Sequence, residues 1–190
     1  MPESMVDQPD FARAECPSYL IRLNLNCRDR KKEGYIGVDA FDGFKPDIVA
    51  DMNSYPWKWV EDNSVFQIQC EDYVQRIFDL QRFMEECYRI LVPAGTINII
   101  APYYTCVLAS EDFNNIRLIS ENTWYYFSKE WLSKYRPEYV EKVKCNFENI
   151  RTVHFYNPDW EARAEQAREW ARVHYWNTIK QIEVTLKAIK

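Results

Sequence analysis

The sequence has little glycine, four residues in 190. That is few for any fold whose ligand-binding turns are made from bare backbone. Histidine is scarce too, with only His154 and His174. None of the six cysteines (Cys16, Cys27, Cys70, Cys87, Cys106 and Cys145) stands in a Cys-x-x-Cys pair. The two scarcities together argue against a zinc site. Cysteines scattered in this way suit free thiols in a reducing compartment. No run approaches the ~20 apolar residues of a membrane span. Residues 1–17 carry Pro2, Pro9 and Pro17 and lack the apolar centre of a signal peptide. Basic excess is also missing: the net charge is −5, so the surface as a whole does not attract nucleic acid. The expectation is a soluble cytoplasmic protein with no membrane partner and a flexible N-terminal arm over residues 1–18.

Aromatic residues, by contrast, are abundant at 16%, with 7 Trp and 13 Tyr. A chain of 190 residues has room for one domain with a proper core. The most informative stretch is Ile21-Arg22-Leu23-Asn24-Leu25-Asn26-Cys27-Arg28-Asp29, followed by Gly34-Tyr35-Ile36-Gly37-Val38-Asp39. It reads as strand, tight turn, connector, strand and terminal acid, the opening of a nucleotide-type α/β fold. The turn carries Asn26, Cys27 and Arg28 where glycines belong. The charge run from Arg28 to Glu33 reads as a solvated loop, or in a sharper form as an anion site.

Further strands are expected over residues 47–51, 65–70 and 96–101. A helix capped by Asp79 is expected over 79–91, and a short one capped by Ser128 over 128–134. Residues 139–147 and 150–156 read as a hairpin turning at Glu148-Asn149. Beyond Pro158-Asp159, apolar residues step by three and four to Ile189, which predicts one long amphipathic helix. Its seam, Tyr175, Ile179, Ile182, Leu186 and Ile189, is a candidate interface with a second copy or another protein. The fold class is therefore α/β: a doubly wound, seven-stranded Rossmann-like sheet, a C-terminal antiparallel hairpin and an appended long helix. The domain would span residues 19–157 and the helix 158–190.

The motifs taken together resemble a known family. Leu23-Asn24-Leu25-Asn26-Cys27-Arg28 and Glu33-Gly34-Tyr35-Ile36-Gly37-Val38-Asp39 are similar to the start of class I S-adenosylmethionine-dependent methyltransferases. The group in question is the small type, with Leu-Asn-Leu-Gly-Cys-Gly followed by Gly-Tyr-Ile-Asn-Val-Asp. Pro56-Trp57, Glu61-Asp62-Asn63-Ser64-Val65 and the run from Phe83 to Leu91 with Pro93 and Gly95 match in register, so the resemblance covers about residues 21–127. It implies that S-adenosylmethionine would lie at the carboxyl ends of the strands, with Asn26 and Arg28 at its turn. Asp39 would take the ribose hydroxyls, Asp51 and Met52 would lie near the adenine, and Tyr103, Tyr104 and Asp112 would face the methyl acceptor. A neutral diol needs a bidentate acceptor, which a carboxylate supplies.

The departures fall on the positions that would touch cofactor or substrate. Asn26 and Arg28 replace the two glycines, and Phe66 replaces an acid. Tyr73-Val74-Gln75-Arg76 stands for the family's Val-Leu-Glu-His, and Asp112-Phe113-Asn114-Asn115 for its Asp-Pro-Thr-His. The expectation is a catalytically degenerate methyltransferase-like module, a pseudoenzyme with a structural or protein-binding role. Such proteins occur in bacteria and their phages, so the resemblance extends to a phage-encoded protein in the host cytoplasm or the virion. In this reading Arg28 would enter the old cofactor pocket and pair with Asp39 or Asp51. The alternative is an active class I enzyme of unknown acceptor, with S-adenosylmethionine as cofactor. A nucleic-acid interface through Arg28, Arg30, Lys31 and Lys32 is the weakest reading, because Asp29 and Glu33 dilute the patch. Cys27, His154 and His174 read as structural.

Overall fold

The computed structural model describes residues 21–190, so the expected arm over 1–18 lies outside the described residues. Seven strands form one sheet in the order β3-β2-β1-β4-β5-β7-β6. They are β1 Ile21–Leu25, β2 Ile36–Asp39, β3 Ile48–Val49, β4 Val65–Glu71, β5 Leu91–Pro102, β6 Phe147–Tyr156 and β7 Ile179–Ala188. The first five strands are parallel, and β7 runs antiparallel to both β5 and β6. The helices are α1 Leu80–Ile90, α2 Leu108–Glu111, α3 Lys129–Tyr135, α4 Pro158–Glu161 and α5 Glu165–His174.

Helix α1 forms where the pattern placed it. The Asp79 side chain accepts from the Arg82 amide at 2.9 Å and caps the first turn. Leu80, Phe83, Met84, Cys87 and Ile90 are buried at helical spacing. They share a core with Leu23, Leu25, Ile68, Ile97, Ile99 and Val184 from the strands. Each side chain of this size withdrawn from water contributes about 2 kcal/mol. Immediately after α1, Gly95 allows close passage of β4. A Cβ there would meet the Val92 carbonyl oxygen at 2.9 Å and that of Phe66 at 3.1 Å.

The alternate face of the sheet is polar. Asn24, Gln69, Asn98 and Thr185 are register partners across four strands, and all are buried. Gln69 donates to Asn98 at 2.8 Å, and Asn98 donates to Thr185 at 3.1 Å and to Glu183 at 2.7 Å. The early connections explain this face. Only residues 26–35 join β1 to β2, and among the described residues that connection holds no α-helix. A loop covers the sheet there, and loops bring polar backbone that needs polar partners: Asn24 donates to the Arg30 carbonyl at 3.1 Å.

Two expectations for the C-terminal half are corrected. Residues 139–146 form no strand. They hold a 3-10 turn at Pro137–Tyr139 and irregular chain, and Glu148-Asn149 lies inside β6, where the register shifts between Asn149 and Arg151. The antiparallel partner of β6 is β7. The single helix over 158–190 is likewise absent: α4 and α5 are short, Asn177 takes a left-handed φ of 57°, and β7 follows. Ile179, Ile182 and Leu186 fit helical spacing, but Ile182, Val184, Leu186 and Ala188 also alternate with period two. Insertion between β5 and β6 favours the second pattern, because both edges of β7 then find hydrogen-bond partners. The proposed interface residues Ile179, Ile182 and Leu186 are therefore buried in the sheet, while Tyr175 and Ile189 remain exposed. Among the described residues no helix is long and apolar enough to cross a membrane.

Candidate functional site

The carboxyl ends of the parallel strands gather most of the residues singled out in the sequence. Asn26 and Arg28 follow β1 with φ of 55° and 47°. They adopt the left-handed conformation that glycine takes without strain, so the turn keeps its path while carrying side chains. The Asn26 amide donates to the Glu71 carbonyl at 3.1 Å and ties the turn to the end of β4.

Asp39, at the end of β2, is 5% exposed. Its Oδ2 accepts the Arg28 backbone N–H at 3.0 Å, and its Oδ1 accepts the Phe41 backbone N–H at 2.9 Å. The expected ion pair is thus replaced by a main-chain bond. The Arg28 guanidinium makes no salt bridge with Asp39 or Asp51 among the described residues. Its field instead reaches Asp112. The main-chain bond follows from the left-handed turn, which aims the Arg28 amide inward.

Asp51 is exposed and closes its own turn, accepting from the Asn53 amide at 2.9 Å and the Ser54 hydroxyl at 3.4 Å. Met52 is 1% exposed, so its side chain belongs to the core rather than to a ligand surface. Close to both acids lies Tyr73, whose hydroxyl accepts from Asn53 Nδ2 at 3.4 Å. Burial, with the nearby charges of Asp51 and Asp39, pushes the Tyr73 phenol up and keeps it protonated.

Asp112 is bound into a strap. Arg76 pairs with it at 2.8 Å and approaches Asn115 at 3.4 Å. The Ile116 amide donates to the Gln75 carbonyl at 3.0 Å, and Arg117 donates to the carbonyls of Ile77 and Phe78. Hydrogen bonds from the Asn114 backbone and side chain hold the Asp112 carboxyl below its usual range, helped by Arg76 and Arg28. Asp112 is bonded within this strap, and among the described residues no hydrogen bond joins it to Tyr103 or Tyr104.

Tyr103 and Tyr104 belong to a different cluster, one with no local signal in the sequence. The Tyr103 hydroxyl donates to Glu121 Oε2 at 3.0 Å, and Arg172 of α5 donates to Glu121 Oε1 at 2.8 Å. Arg172 also donates to Glu169 at 3.1 Å, and Glu169 accepts from the Tyr156 hydroxyl at 3.0 Å. His154 of β6 meets the Tyr103 ring edge-to-face at 5.5 Å. Burial holds its pKa below the ordinary value. Residues 69 positions apart in sequence meet here, between Tyr103 and Arg172.

The charge run is engaged within the chain. Arg30 pairs with Glu71 at 3.0 Å, Lys31 with Asp47 at 2.7 Å, and Lys32 donates to Gln69 at 3.1 Å. These three cations line a cavity of about 190 Å³ with Asn24 and Asn26. The five described cysteines, Cys27, Cys70, Cys87, Cys106 and Cys145, are free and buried.

No protein-family model matches the chain, and no curated protein matches its sequence. Solved structures do share its fold. A SAM-dependent methyltransferase from Archaeoglobus fulgidus is 16% identical with a TM-score of 0.61, over 90% of this chain and 86% of that one. The YcgJ protein from Bacillus subtilis is 13% identical with a TM-score of 0.57, over 93% and 94%. An S-adenosylmethionine-dependent methyltransferase from Mesorhizobium loti is 13% identical with a TM-score of 0.51, over 89% and 91%. The fold is that of the class I methyltransferases, as the strand order and the antiparallel β7 also say. At this identity the likeness defines the architecture and leaves activity to the site.

Proposed function

We propose that the protein is a methyltransferase-fold module without methyl-transfer activity, acting through binding. The carrying observation is the strap: groups at positions that, in the resemblance, would touch cofactor or substrate are tied to one another and to neighbouring backbone. Arg76 pairs with Asp112 at 2.8 Å and approaches Asn115 at 3.4 Å, and the Gln75 carbonyl accepts the Ile116 amide at 3.0 Å. Side chains fixed in this way are not free to orient an acceptor, and transfer of a sulfonium methyl depends on such positioning.

S-adenosylmethionine fits this chain at one end only. The buried Asp39 would suit a ribose diol, since each carboxylate oxygen keeps a lone pair beyond its backbone bond. The methionine end does not fit. Asn26 and Arg28 carry side chains where backbone alone would meet the ligand, and the Asn26 amide is committed to Glu71. With β7 in the sheet and Ile179, Ile182 and Leu186 buried, any protein-binding role passes to exposed Trp170, Val173 and Trp176 on and just beyond α5.

The second reading, an active enzyme, draws support from the preserved Asp39 and the glycine-like path of the turn. Transfer of labelled methyl from S-adenosylmethionine, lost on Asp39→Ala, would establish it. Absence of transfer to protein, nucleic acid or sugar, together with no cofactor binding, is the outcome expected of the first.

A further inference from the structure

The carboxyl end of β5 faces a cavity of about 390 Å³ that shares no lining residue with the turn after β1. Its volume lies within the range of small-molecule sites. The residues that matter are Tyr103, Tyr104, Ser120, Glu121, Asn122 and Arg172. We infer that this cavity binds an uncharged polyhydroxylated ring, the chemistry of a sugar.

Glu121 and Arg172 both line the cavity, 2.8 Å apart. An anionic ligand entering it meets the Glu121 carboxylate, and a cationic ligand meets the Arg172 guanidinium. Either finds its own sign beside its partner, at a site partly withdrawn from water where repulsion is weakly screened. Arg172 is moreover already shared between Glu121 and Glu169, which leaves little of its charge for a phosphate or carboxylate.

An uncharged ligand avoids both penalties and can use both groups. Each Glu121 oxygen keeps a lone pair after its bond to Arg172 or Tyr103, and the guanidinium keeps unassigned N–H donors. The Asn122 side chain has no partner among the described residues and offers a donor and an acceptor together. A hydroxyl is itself both donor and acceptor, so a ring bearing several of them matches this mixed floor. Tyr104, 37% exposed and backed by the buried Tyr103 ring 4.7 Å away, supplies aromatic surface for the C–H face of such a ring.

The inference does not rest on the proposed loss of methyl transfer, because the cavity lies apart from Asp39 and Arg28. The test is amide-resolved NMR titration of the full chain with methyl glucoside, methyl galactoside and methyl mannoside. Glucosamine and glucose phosphate serve as charged counterparts. At least one neutral glycoside is expected to saturate shifts at Tyr103, Tyr104 and Asn122, with both charged sugars about fivefold weaker or more. Asn122→Ala, an exposed change, should weaken the neutral glycoside with the remaining spectrum unaltered. Glu121→Gln should raise the rank of glucose phosphate, because Arg172 then faces the cavity with one counter-charge fewer. Failure of all three glycosides to bind, shifts centred elsewhere, or charged sugars binding equally well would overturn the inference.

Discussion

Two hydrogen-bonded networks in this molecule sit on segments that resemble the same family, and they have fared differently. The first anchors α1. Trp57 is 1% exposed and packs edge-to-face on Phe83 at 5.6 Å. Its backbone N–H donates to Glu86 at 3.0 Å, its indole N–H donates to the Met52 carbonyl at 3.2 Å, and its carbonyl accepts from Arg89 at 3.0 Å. Arg89 also pairs with Glu86 at 2.7 Å and with Asp62. These residues belong to the Pro-Trp, Glu-Asp-Asn-Ser and helix motifs that match the family in register. The second network is the strap of Gln75, Arg76, Asp112 and Asn115, in which Gln75, Arg76 and Asn115 stand where the family residue is gone while Asp112 keeps the acid. The anchor holds the sheet against its helix, so any change there costs stability. The strap occupies places that chemistry would have constrained; there Arg76, Asp112 and Asn115 have become partners of one another, and the Gln75 carbonyl holds the Ile116 amide.

Breaking the anchor should have the largest effect. Trp57→Ala is expected to destabilise by about 4 kcal/mol, through a cavity and one orphaned backbone carbonyl, that of Met52. Urea unfolding would measure it; a loss well below that would mean the anchor is not structural. Arg89→Ala follows, at about 2 kcal/mol, because it leaves Glu86, mostly buried, without its counter-charge. The same measurement applies, with Arg89→Lys recovering only part, since the fork that reaches Glu86, Asp62 and Trp57 is lost.

Arg76→Ala should barely move the unfolding midpoint, because the Arg76–Asp112 pair is partly exposed. Hydrogen exchange should instead accelerate at the Ile116 amide and across residues 107–118, opening the strap alone. Exchange unchanged there, or a midpoint shift as large as that of Arg89→Ala, would erase the distinction between the networks.

The smallest effect expected is on pH dependence, at His154. Its folded pKa lies below the ordinary value because the ring is buried. As pH falls through about 6.5 the unfolded chain takes up a proton that the folded chain refuses. The stability present above that pH is therefore lost progressively below it. Thermal unfolding between pH 7.5 and 5.5, roughly the histidine range, should show this slope, and His154→Phe should flatten it.

The same contrast explains what could be read from the sequence. The strand-turn-strand opening, Asp39 at its end, the Asp79-capped helix and the free cysteines were legible because each is set by neighbours in sequence. The interface assigned to Ile179, Ile182 and Leu186 failed because their spacing satisfies a helix and a strand alike, and tertiary pairing with β5 and β6 decided between them. Arg28 was rightly placed at the turn, but its backbone rather than its guanidinium meets Asp39. A left-handed φ on an arginine has no sequence signature. The cluster of Tyr103, Glu121, His154 and Arg172 was invisible, because its members come from four elements with no shared motif.

Calorimetric titration of the full chain with S-adenosylmethionine tests the central claim most directly. Heats no larger than dilution are expected, since the turn after β1 carries side chains and the Asn26 amide is held by Glu71. Saturable binding at micromolar affinity, abolished by Asp39→Ala, would contradict it.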